Sequence, residues 1–412
     1  MRTLFAALCV LLPAAASGAE PAMRWEECVS IALKSNPDLA ASRLSRDAAR
    51  AGYLGSYSAL LPSLSLSNSV SESDGSRKQS WTAQGSLGID LFNMGSYASV
   101  RSNSASLSQA EAQLRLKSAE LRASLAKAFA NLLYAQTSVP VADRIQAVRR
   151  SNAELVSLRY DSGRESKGNM LRAKADLSSA RADAAAARRE LRTSRIALNR
   201  LLGMGDDAVY AATGTWASGA VPPEPSPALL EGHPRLASLE ASIASARAGV
   251  ASSQANLWPT LSASYARDWQ DDRFFPHEPG WSASGSLSYR LMSGGPTQTY
   301  YAVQRARRNL DGAKEDLRAG QSALRSSLET AWSNLASTVS DVEVGAESLE
   351  ASRQRNDEAS VRYASGLMNF ENWQTVVTEF VQSEKNYIRS LRDLASSRAD
   401  WENALGKPLE VP

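Results

Sequence analysis

The chain has 412 residues, of which 43% are hydrophobic and 22% are charged, so it is long enough for two or three ordinary domains and its composition is not that of a disordered protein. Its 46 Lys and Arg residues nearly balance its 43 Asp and Glu residues, and the two signs are interleaved without forming a basic stripe, which argues against nucleic acid as a partner. The two histidines, His233 and His277, have no cysteine or second histidine at ligand spacing, so we expect neither a metal site, nor a cofactor, nor an enzyme.

Residues 1–19 are predicted to be a secretory signal peptide, because Arg2 precedes an apolar run from Leu4 to Ala16 and Ser17-Gly18-Ala19 supplies the small residues of a cleavage site. No later stretch approaches the roughly 20 apolar residues of a transmembrane helix. Loss of the signal removes Cys9 and leaves Cys28 without a disulfide partner. Two glutamates precede Cys28, so we expect a small buried residue and not a lipid anchor.

Four segments alternate apolar and polar residues with a period of two, and they form two predicted strand pairs at about 62–92 and about 259–292. One face carries Leu, Val, Ala, Gly and aromatic residues, whereas the other carries mostly Ser, Thr and Gln. Strands of roughly ten residues with this alternation are typical of membrane β-barrels. The large aliphatic residues of the apolar face include Leu64, Leu66, Val70, Leu87, Leu261 and Leu287.

Aromatic residues mark the ends of these strands, where the interfacial belts of a membrane barrel lie. The candidates are Trp81, Phe92, Trp258, Trp269, Trp281 and Tyr289. The turns within the pairs are predicted to be polar, over residues 72–78 and from 270 to 280. The alternative is two amphipathic hairpins on a soluble core, although such a sheet more often carries Val, Ile and Thr on its buried face.

Long helical stretches follow each strand pair. From Ser96 to Asp161 the only strong helix breaker is Pro140, so one kinked helix would span roughly 100 Å at 1.5 Å per residue. Heptad seams are predicted along it and along the helices that return after Gly163 and Gly366, whose glycines suit left-handed helix stops. The seam residues are Leu107, Leu114, Leu121, Leu125, Ala128 and Leu132, then Leu177, Ala184, Leu191 and Leu198, and finally Phe380, Tyr387, Leu394 and Trp401. Abundant Ala and Ser elsewhere favour a curved wall of helices.

The same order of elements occurs twice. Asn36-Pro37 recurs as His233-Pro234 after 197 residues, and Arg159-Tyr160-x-Ser162-Gly163 recurs as Arg362-Tyr363-x-Ser365-Gly366 after 203. The increase of the offset from 197 to 203 residues is typical of loops that have gained residues in a duplicated domain. We therefore predict a first structural repeat at 20–205, a Pro-rich linker or equatorial segment at 206–228, and a second repeat at 229–412. Such a duplication suits a symmetric wall better than a lone active site.

The four predicted strands imply an assembly. Every backbone amide within a bilayer must be paired, so a membrane sheet has to close, and bacterial barrels use eight or more strands. One chain offers four strands, and three copies would give twelve, which is enough for an open lumen. The strands therefore predict an assembly of several copies, such as a homotrimer.

The order of elements, the duplication, the strand entries at 61–64 and 258–261, the two Arg-Tyr-x-Ser-Gly motifs and Ala404-Leu405-Gly406 resemble the TolC-type outer-membrane efflux proteins over residues 25–408. The resemblance implies a mixed α and β fold that is mostly α. It implies a trimeric 12-stranded outer-membrane β-barrel, with four strands per chain, which continues as a long periplasmic α-helical coiled-coil barrel.

The same resemblance implies a Gram-negative outer-membrane exit duct of a tripartite efflux system, in contact with outer-membrane lipid. Such a duct docks onto a periplasmic adaptor (membrane fusion protein) and an inner-membrane pump of RND or ABC type, and it conducts passively. Two alternatives stay open. One is the outer-membrane duct of a type I protein secretion system, and the other is a soluble periplasmic coiled-coil scaffold or adaptor.

The turns between the long helices are the candidate periplasmic tip and gate. In the resembled family the helix after each tip glycine often begins with an aspartate six residues on, and these aspartates form acidic rings at the constriction. Here those positions are Asn169 and Asn372, so we expect a constriction without that ring, with Glu371 and Glu165 as the nearest substitutes. The tip and gate candidates are Arg159, Tyr160, Gly163, Asn169, Arg362, Tyr363, Gly366, Glu371 and Asn372. The Arg-Tyr pairs are expected to make tip contacts, within the protein or with the adaptor, or else to pack between helices.

Overall fold

A computed structural model describes residues 21–73, 76–214, 220–271, 274, 276–289 and 296–409 of the protein, and this part of the chain is mostly helical. The predicted signal peptide lies outside it. The helices are α1 Trp25–Ser35, α2 Pro37–Ser56, α3 Met94–Asp161, α4 Lys167–Leu202, α5 Pro234–Gln254, α6 Pro296–Ala364 and α7 Phe370–Ala404. The strands are β1 Ala22–Met23, β2 Ser63–Ser73, β3 Ser76–Phe92, β4 Ala211–Ala212, β5 Thr260–Asp271 and β6 Glu278–Ser288.

The four long strands form one antiparallel sheet in the order β2-β3-β5-β6, and β1 pairs separately with β4. Both predicted strand pairs are confirmed. The first turn is shorter than expected, because β2 reaches Ser73 and β3 begins at Ser76, so most of the polar stretch 72–78 is strand. Residues 74 and 75 lie outside the described part of the chain, as do residues 290–292 at the predicted end of β6. The central pairing of β3 with β5 joins the two hairpins, with Leu87 opposite Tyr265.

The long helices α3 and α6 have 68 and 69 residues, so each spans about 100 Å. α3 continues through Pro140, as predicted. α4 and α7 return alongside α3 and α6, and α7 also packs on α3. Within the described residues, no helix combines the length and the hydrophobicity that are needed to cross a membrane.

The two turns between long helices are built alike. Gly163 has a φ of 73° and Gly366 a φ of 81°, both in the left-handed region that favours glycine. In the first turn Gly163 N–H donates to the Tyr160 carbonyl, and in the second Gly366 N–H donates to the Tyr363 carbonyl at 3.0 Å. The predicted left-handed helix stops are confirmed, and each reverses the chain within about one helical turn.

The buried seam of α3 is only partly the predicted one. The later seam positions, from Leu121 to Leu132, are buried, whereas Leu107 and Leu114 are only half-buried. Nearer the sheet the buried face is an alanine heptad that we did not single out in the sequence: Ala98, Ala105, Ala112 and Ala119. Small side chains allow α5 to lie closely against this part of α3.

Asn36 joins α2 to the end of α4. Its side-chain oxygen accepts a hydrogen bond from Leu39 N–H at 2.8 Å, which caps α2, and its side-chain nitrogen donates to the Leu201 carbonyl at 2.8 Å. Gly203 ends α4 in a left-handed conformation with a φ of 70°. A Cβ at that position would lie 2.2 Å from the Ser35 carbonyl oxygen. The joint therefore requires a glycine.

His233 makes the matching joint between α5 and the end of α7. Its Nδ1 accepts from Arg235 N–H at 3.1 Å and its Nε2 lies 3.2 Å from the Ala404 carbonyl, to which it donates. Gly406, with a φ of 67°, packs against the imidazole. Both short helices are thus fastened at their starts to the ends of long ones, and their opposite ends lead into the strands.

Cys28 is fully buried in the core that α1, α3 and α4 share, as predicted. Burial raises the pKa of its thiol to about 12, and the Glu27 carboxylate adds to the effect. The thiol is protonated and unreactive at neutral pH.

Candidate functional site

The four-stranded sheet has one apolar and one polar face, as the alternation predicts. On the apolar face Leu66 is 81% exposed and Leu287 is 71% exposed. On the polar face, serine hydroxyls bond across neighbouring strands, with Ser65 and Ser86 2.6 Å apart. Large aliphatic side chains exposed over a whole face require an apolar environment, since soluble monomers rarely expose so large a patch.

The six predicted belt aromatics lie at two levels of the sheet. Trp81, Trp269 and Trp281 lie toward the hairpin turns, and Phe92, Trp258 and Tyr289 lie at the ends nearest the helices. At the lower level, the ring centroids of Phe92 and Trp258 are 6.5 Å apart. The levels are separated by roughly 27 Å along β6, from Trp281 to Tyr289, and by roughly 37 Å along β3, from Trp81 to Phe92, which is roughly 20 to 28 Å along an axis from which the strands tilt by about 40°. That separation is close to the height of a membrane-barrel apolar band, about 25 Å.

Asn169 and Asn372 lie in the first turns of α4 and α7. Ser166 Oγ accepts from Asn169 N–H at 3.1 Å, and Asn369 Oδ1 accepts from Asn372 N–H at 2.9 Å, so the two helix starts are capped in the same way. The side chains differ in their contacts. Asn169 donates to Glu165 Oε1 at 2.7 Å, whereas Asn372 is exposed.

Arg159, Glu165 and Tyr363 meet between the two tips. Arg159 Nη1 donates to the Tyr363 carbonyl at 2.5 Å, and the guanidinium carbon lies 4.6 Å from the centroid of the Tyr363 ring. The Tyr363 hydroxyl donates to Glu165 Oε2 at 3.0 Å. The buried Tyr363 ring also stacks on Trp373, with centroids 4.2 Å apart and planes 5° from parallel. We call Arg159, Glu165, Tyr363 and Trp373 the tip cluster.

Electrostatics within the tip cluster favour an ionised Glu165 and a neutral Tyr363. Partial burial raises the pKa of Glu165, but hydrogen bonds from Asn169, Ser166 N–H and Tyr363, together with the Arg159 charge, outweigh burial and hold the pKa below its ordinary value. Burial raises the pKa of Tyr363 to about 12, and the hydrogen bond to Glu165 adds to the effect. The hydroxyl is therefore a stable donor to a carboxylate over the neutral range.

The remaining tip candidates are not part of this cluster or only border it. Tyr160 is half-buried at its edge. Arg362 is exposed, with Nη2 4.0 Å from a Glu358 carboxylate oxygen. Glu371 is exposed at the start of α7, with a carboxylate oxygen 3.4 Å from Arg172 Nη1 of α4. The repeated Arg-Tyr motif thus has unequal roles, since one residue of each copy enters the cluster.

A second polar cluster, which the sequence analysis missed, lies along α3, α4 and α7, farther from the turns than the tip cluster. Arg149 is 9% exposed; its Nη2 donates to Thr378 Oγ1 at 3.3 Å, and its Nη1 lies 3.8 Å from Asp176 Oδ2. Gln374 donates to the same carboxylate oxygen. Burial lowers the pKa of Arg149, and Asp176 opposes that shift. The cluster ties α3 and α4 to α7.

Metal ligands do not converge within the described residues, where no three His, Cys, Asp or Glu side chains come together so as to hold an ion. His233 is engaged in the joint below α5. His277 lies at the surface, with Nδ1 3.8 Å from Asp271 Oδ2.

Comparison with known proteins places this architecture. The family model described as outer membrane efflux protein matches residues 28–204 and 226–407. The cobalt-zinc-cadmium resistance protein CzcC of Cupriavidus metallidurans is 23% identical over 392 residues, covering 93% of this chain and 90% of that protein.

Solved structures share the fold at low identity. The outer membrane protein VceC of Vibrio cholerae matches with a TM-score of 0.81 at 18% identity, covering 93% of this chain and 96% of that one. The CmeC outer membrane channel of Campylobacter jejuni matches with a TM-score of 0.82 at 16% identity, covering 92% and 85%.

Proposed function

This chain belongs to the outer membrane efflux protein family and is a protein of the outer membrane, and on that premise we propose that three copies form the exit duct of a tripartite efflux system. The duct would be a 12-stranded outer-membrane β-barrel that continues into the periplasm as a coiled-coil barrel of helices. It would conduct passively and carry out no catalysis.

One observation carries this proposal: the sheet is apolar on one face, polar on the other and open at both edges. Among the described residues β2 pairs only with β3, and β6 only with β5. Open edges in a bilayer would leave backbone groups without hydrogen bonds, so the sheet has to close with other copies. Three copies would close a 12-stranded barrel, with the serine faces lining a water-filled lumen.

The test is the oligomeric state of the mature protein. We expect it to require detergent for extraction from outer membranes and to run as a trimer in light scattering. A soluble monomer in buffer without detergent would contradict the barrel and favour the alternative of a soluble periplasmic coiled-coil scaffold or adaptor.

We also propose that residues 20–205 and 229–412 are duplicated halves, joined by the equatorial segment 206–228. Support comes from matched details that lie 203 residues apart or nearly so. The helix stops at Gly163 and Gly366 have the same hydrogen bonds, and the joints at Asn36 and His233 make the same pair of contacts. Two similar halves in each of three chains would give a wall with nearly sixfold symmetry.

The tips are the proposed periplasmic gate and adaptor-docking end. The tip cluster fastens the α3–α4 pair to the α6–α7 pair, so breaking it would free one pair to swing outward. Beside the cluster, apolar side chains are open to solvent: Leu367 is 81% exposed and Val361 is 70% exposed. These residues suit the partner that the tips would meet, a periplasmic adaptor linked to an inner-membrane pump of RND or ABC type.

The cargo class is proposed to be metal cations, because the curated relative is a cobalt-zinc-cadmium resistance protein. The alternative is a duct for type I protein secretion, which needs the same architecture. A strain that lacks its own metal-efflux channel should regain zinc and cobalt tolerance with this gene and its native adaptor and pump. Restored export of a polypeptide without restored metal tolerance would favour the secretion alternative.

A further inference from the structure

Arg267 is a charged residue on the apolar face of the sheet. Along β5 the apolar face carries Leu261, Ala263, Tyr265, Arg267 and Trp269, since alternate residues of a strand share a face. Across the strands Arg267 lies opposite Gly85 of β3 and Trp281 of β6. Its side chain is exposed. The positive charge of Arg267 on an otherwise apolar face therefore calls for a specific physical explanation.

The surroundings of Arg267 are aromatic and apolar. The guanidinium carbon lies 5.5 Å from the centroid of the Trp269 ring, and Trp281 is 72% exposed beside it. On the other side Gly85 has no side chain, and Leu66 leans over it, since a Cβ on Gly85 would lie 3.2 Å from Leu66 Cδ2. Among the described residues, no carboxylate lies within 4.0 Å of the guanidinium.

The height of Arg267 on the sheet places it in the half of the apolar band nearer the hairpin turns in the proposed barrel. β5 runs from the helices toward the hairpin turn, and Arg267 follows Leu261 by six residues. That is roughly 20 Å along the strand and roughly 15 Å along the barrel axis, which is more than half the height of an apolar band about 25 Å tall, and Arg267 pairs directly with Trp281 of the upper aromatic level. A long side chain can reach from there to the surface on the side of the hairpin turns. That surface is the outer leaflet if the helices are periplasmic.

We propose that Arg267, with Trp269 and Trp281, binds a phosphate group of the glycolipid that forms the outer leaflet. A guanidinium offers parallel N–H donors that match two phosphate oxygens, and no carboxylate in the described part of the chain competes for them. The two indoles flank the headgroup at the level where aromatic belts meet it. The inference rests on the proposed function, because it requires the apolar face to be turned to lipid.

The experiment uses the purified full-length protein in detergent. Native mass spectrometry measures retention of added diphosphorylated lipid A, with dephosphorylated lipid A and phosphatidylglycerol as competitors. We expect the native protein to retain up to three lipids per trimer and Arg267→Gln to bind at least about tenfold more weakly. Arg267→Lys should bind with intermediate affinity, since it keeps the charge but loses the paired donors. Arg353→Gln, the same change on exposed helix α6, should bind like the native protein.

Several results would overturn the proposal. Equal retention by Arg267→Gln would show that this residue does not hold the lipid, and equal retention of dephosphorylated lipid A would show that phosphate is not recognised. Equal competition by phosphatidylglycerol would reduce the site to a general anion contact. A trimer of normal conductance that binds no lipid A contradicts this site alone, whereas a monomer contradicts the proposed barrel as well.

Discussion

At the scale of single residues, Asn36 and His233 do the same work with different chemistry. Each accepts a hydrogen bond from the start of a short helix and donates one to the end of a long helix. The imidazole can do both only while it is neutral, with Nδ1 free to accept. Burial lowers the pKa of His233; the Ala404 carbonyl opposes the shift, and the Arg235 charge adds to it. One joint is therefore sensitive to pH and the other is not.

We predict that His233→Asn makes the stability of the protein less dependent on pH. The folded-state pKa of His233 lies below its ordinary value of about 6.5, so the folded state binds fewer protons than the unfolded state. The contribution is complete above pH 6.5 and is lost as the pH falls through and below that value. The unfolding temperature between pH 8 and 5.5 should fall less in His233→Asn than in the native protein, and more in Asn36→His. Parallel curves for all three proteins would contradict this role.

The joint below α2 gives a second prediction. Gly203→Ala forces a side chain into a left-handed backbone and against the Ser35 carbonyl, and we expect it to cost about 2 kcal/mol or more of unfolding free energy. Gly205→Ala is the matched control, because a Cβ there would meet nothing within 4 Å. Denaturant titration of the two variants measures the difference. Equal stabilities would show that α4 ends at another residue or that the backbone around Ser35 moves to accept the added side chain.

At the scale of secondary-structure elements, the proposed barrel requires the apolar face of each strand to be turned to lipid and the polar face to the lumen. Leu87 lies on the apolar face opposite Leu64 and Tyr265, and its neighbour Ser86 lies on the polar face, bonded to Ser65. We predict that Leu87→Arg lowers outer-membrane trimer yield far more than Ser86→Arg. An arginine on the lipid-facing side of a strand costs about 2 to 4 kcal/mol of stability near the midplane. Membrane fractions analysed by unheated gel electrophoresis measure the yield. Equal yields would mean that the faces are assigned wrongly.

The tip cluster is the element contact that we expect to hold the channel closed. Tyr363→Phe keeps the stacking on Trp373 and removes only the hydroxyl that donates to Glu165, so open probability in a planar bilayer should rise about tenfold. Tyr160→Phe, whose hydroxyl makes no hydrogen bond among the described residues, is the control. Since the folded-state pKa of Glu165 is lowered, the contact is complete above the ordinary carboxyl pKa and is lost as the pH falls below it. Unchanged conductance in Tyr363→Phe would remove this contact from the gate.

The sequence predicted the helices and strands well because their signals are periodic. It predicted contacts poorly where the buried side chain is small, as in alanine, or charged, as in arginine. The strands, the long helices and both left-handed stops follow from alternation, heptads and glycine. The alanine heptad of α3 is equally periodic, but alanine is so abundant in this chain that one heptad of alanines does not stand out. Arg149 continues the seven-residue spacing of the buried Ala142 and Val156, yet a lone arginine on a seam gives no sign of its partner on another helix. Contacts such as that of Arg159 with Tyr363 depend on how the α3–α4 helix pair packs against the α6–α7 pair. The periodic pattern of each helix does not encode that packing.

At the scale of the whole molecule, a duct that only conducts must be regulated where it narrows. In the proposed trimer that place is the ring of tips, where the two helix pairs of each chain meet those of its neighbours. Asn169 is held by Glu165, and Glu371 is paired with Arg172, so both nearby carboxylates already have partners within their own chain. Asn372 is exposed at the start of α7 and carries no charge. A constriction lined in this way would be neutral.

A neutral constriction predicts insensitivity to multivalent cations. Rings of carboxylates bind such cations and are blocked by them, whereas amides lack the charge to do so. In a planar bilayer the native trimer should conduct little at rest and should be nearly unaffected by a trivalent cation added from the periplasmic side. Asn372→Asp should introduce block, because three copies would place three carboxylates at the ring, while Asn372→Ser should stay insensitive. If the native channel is already strongly blocked, Glu371 or Glu165 must leave its partner and line the pore, and the neutral constriction is wrong.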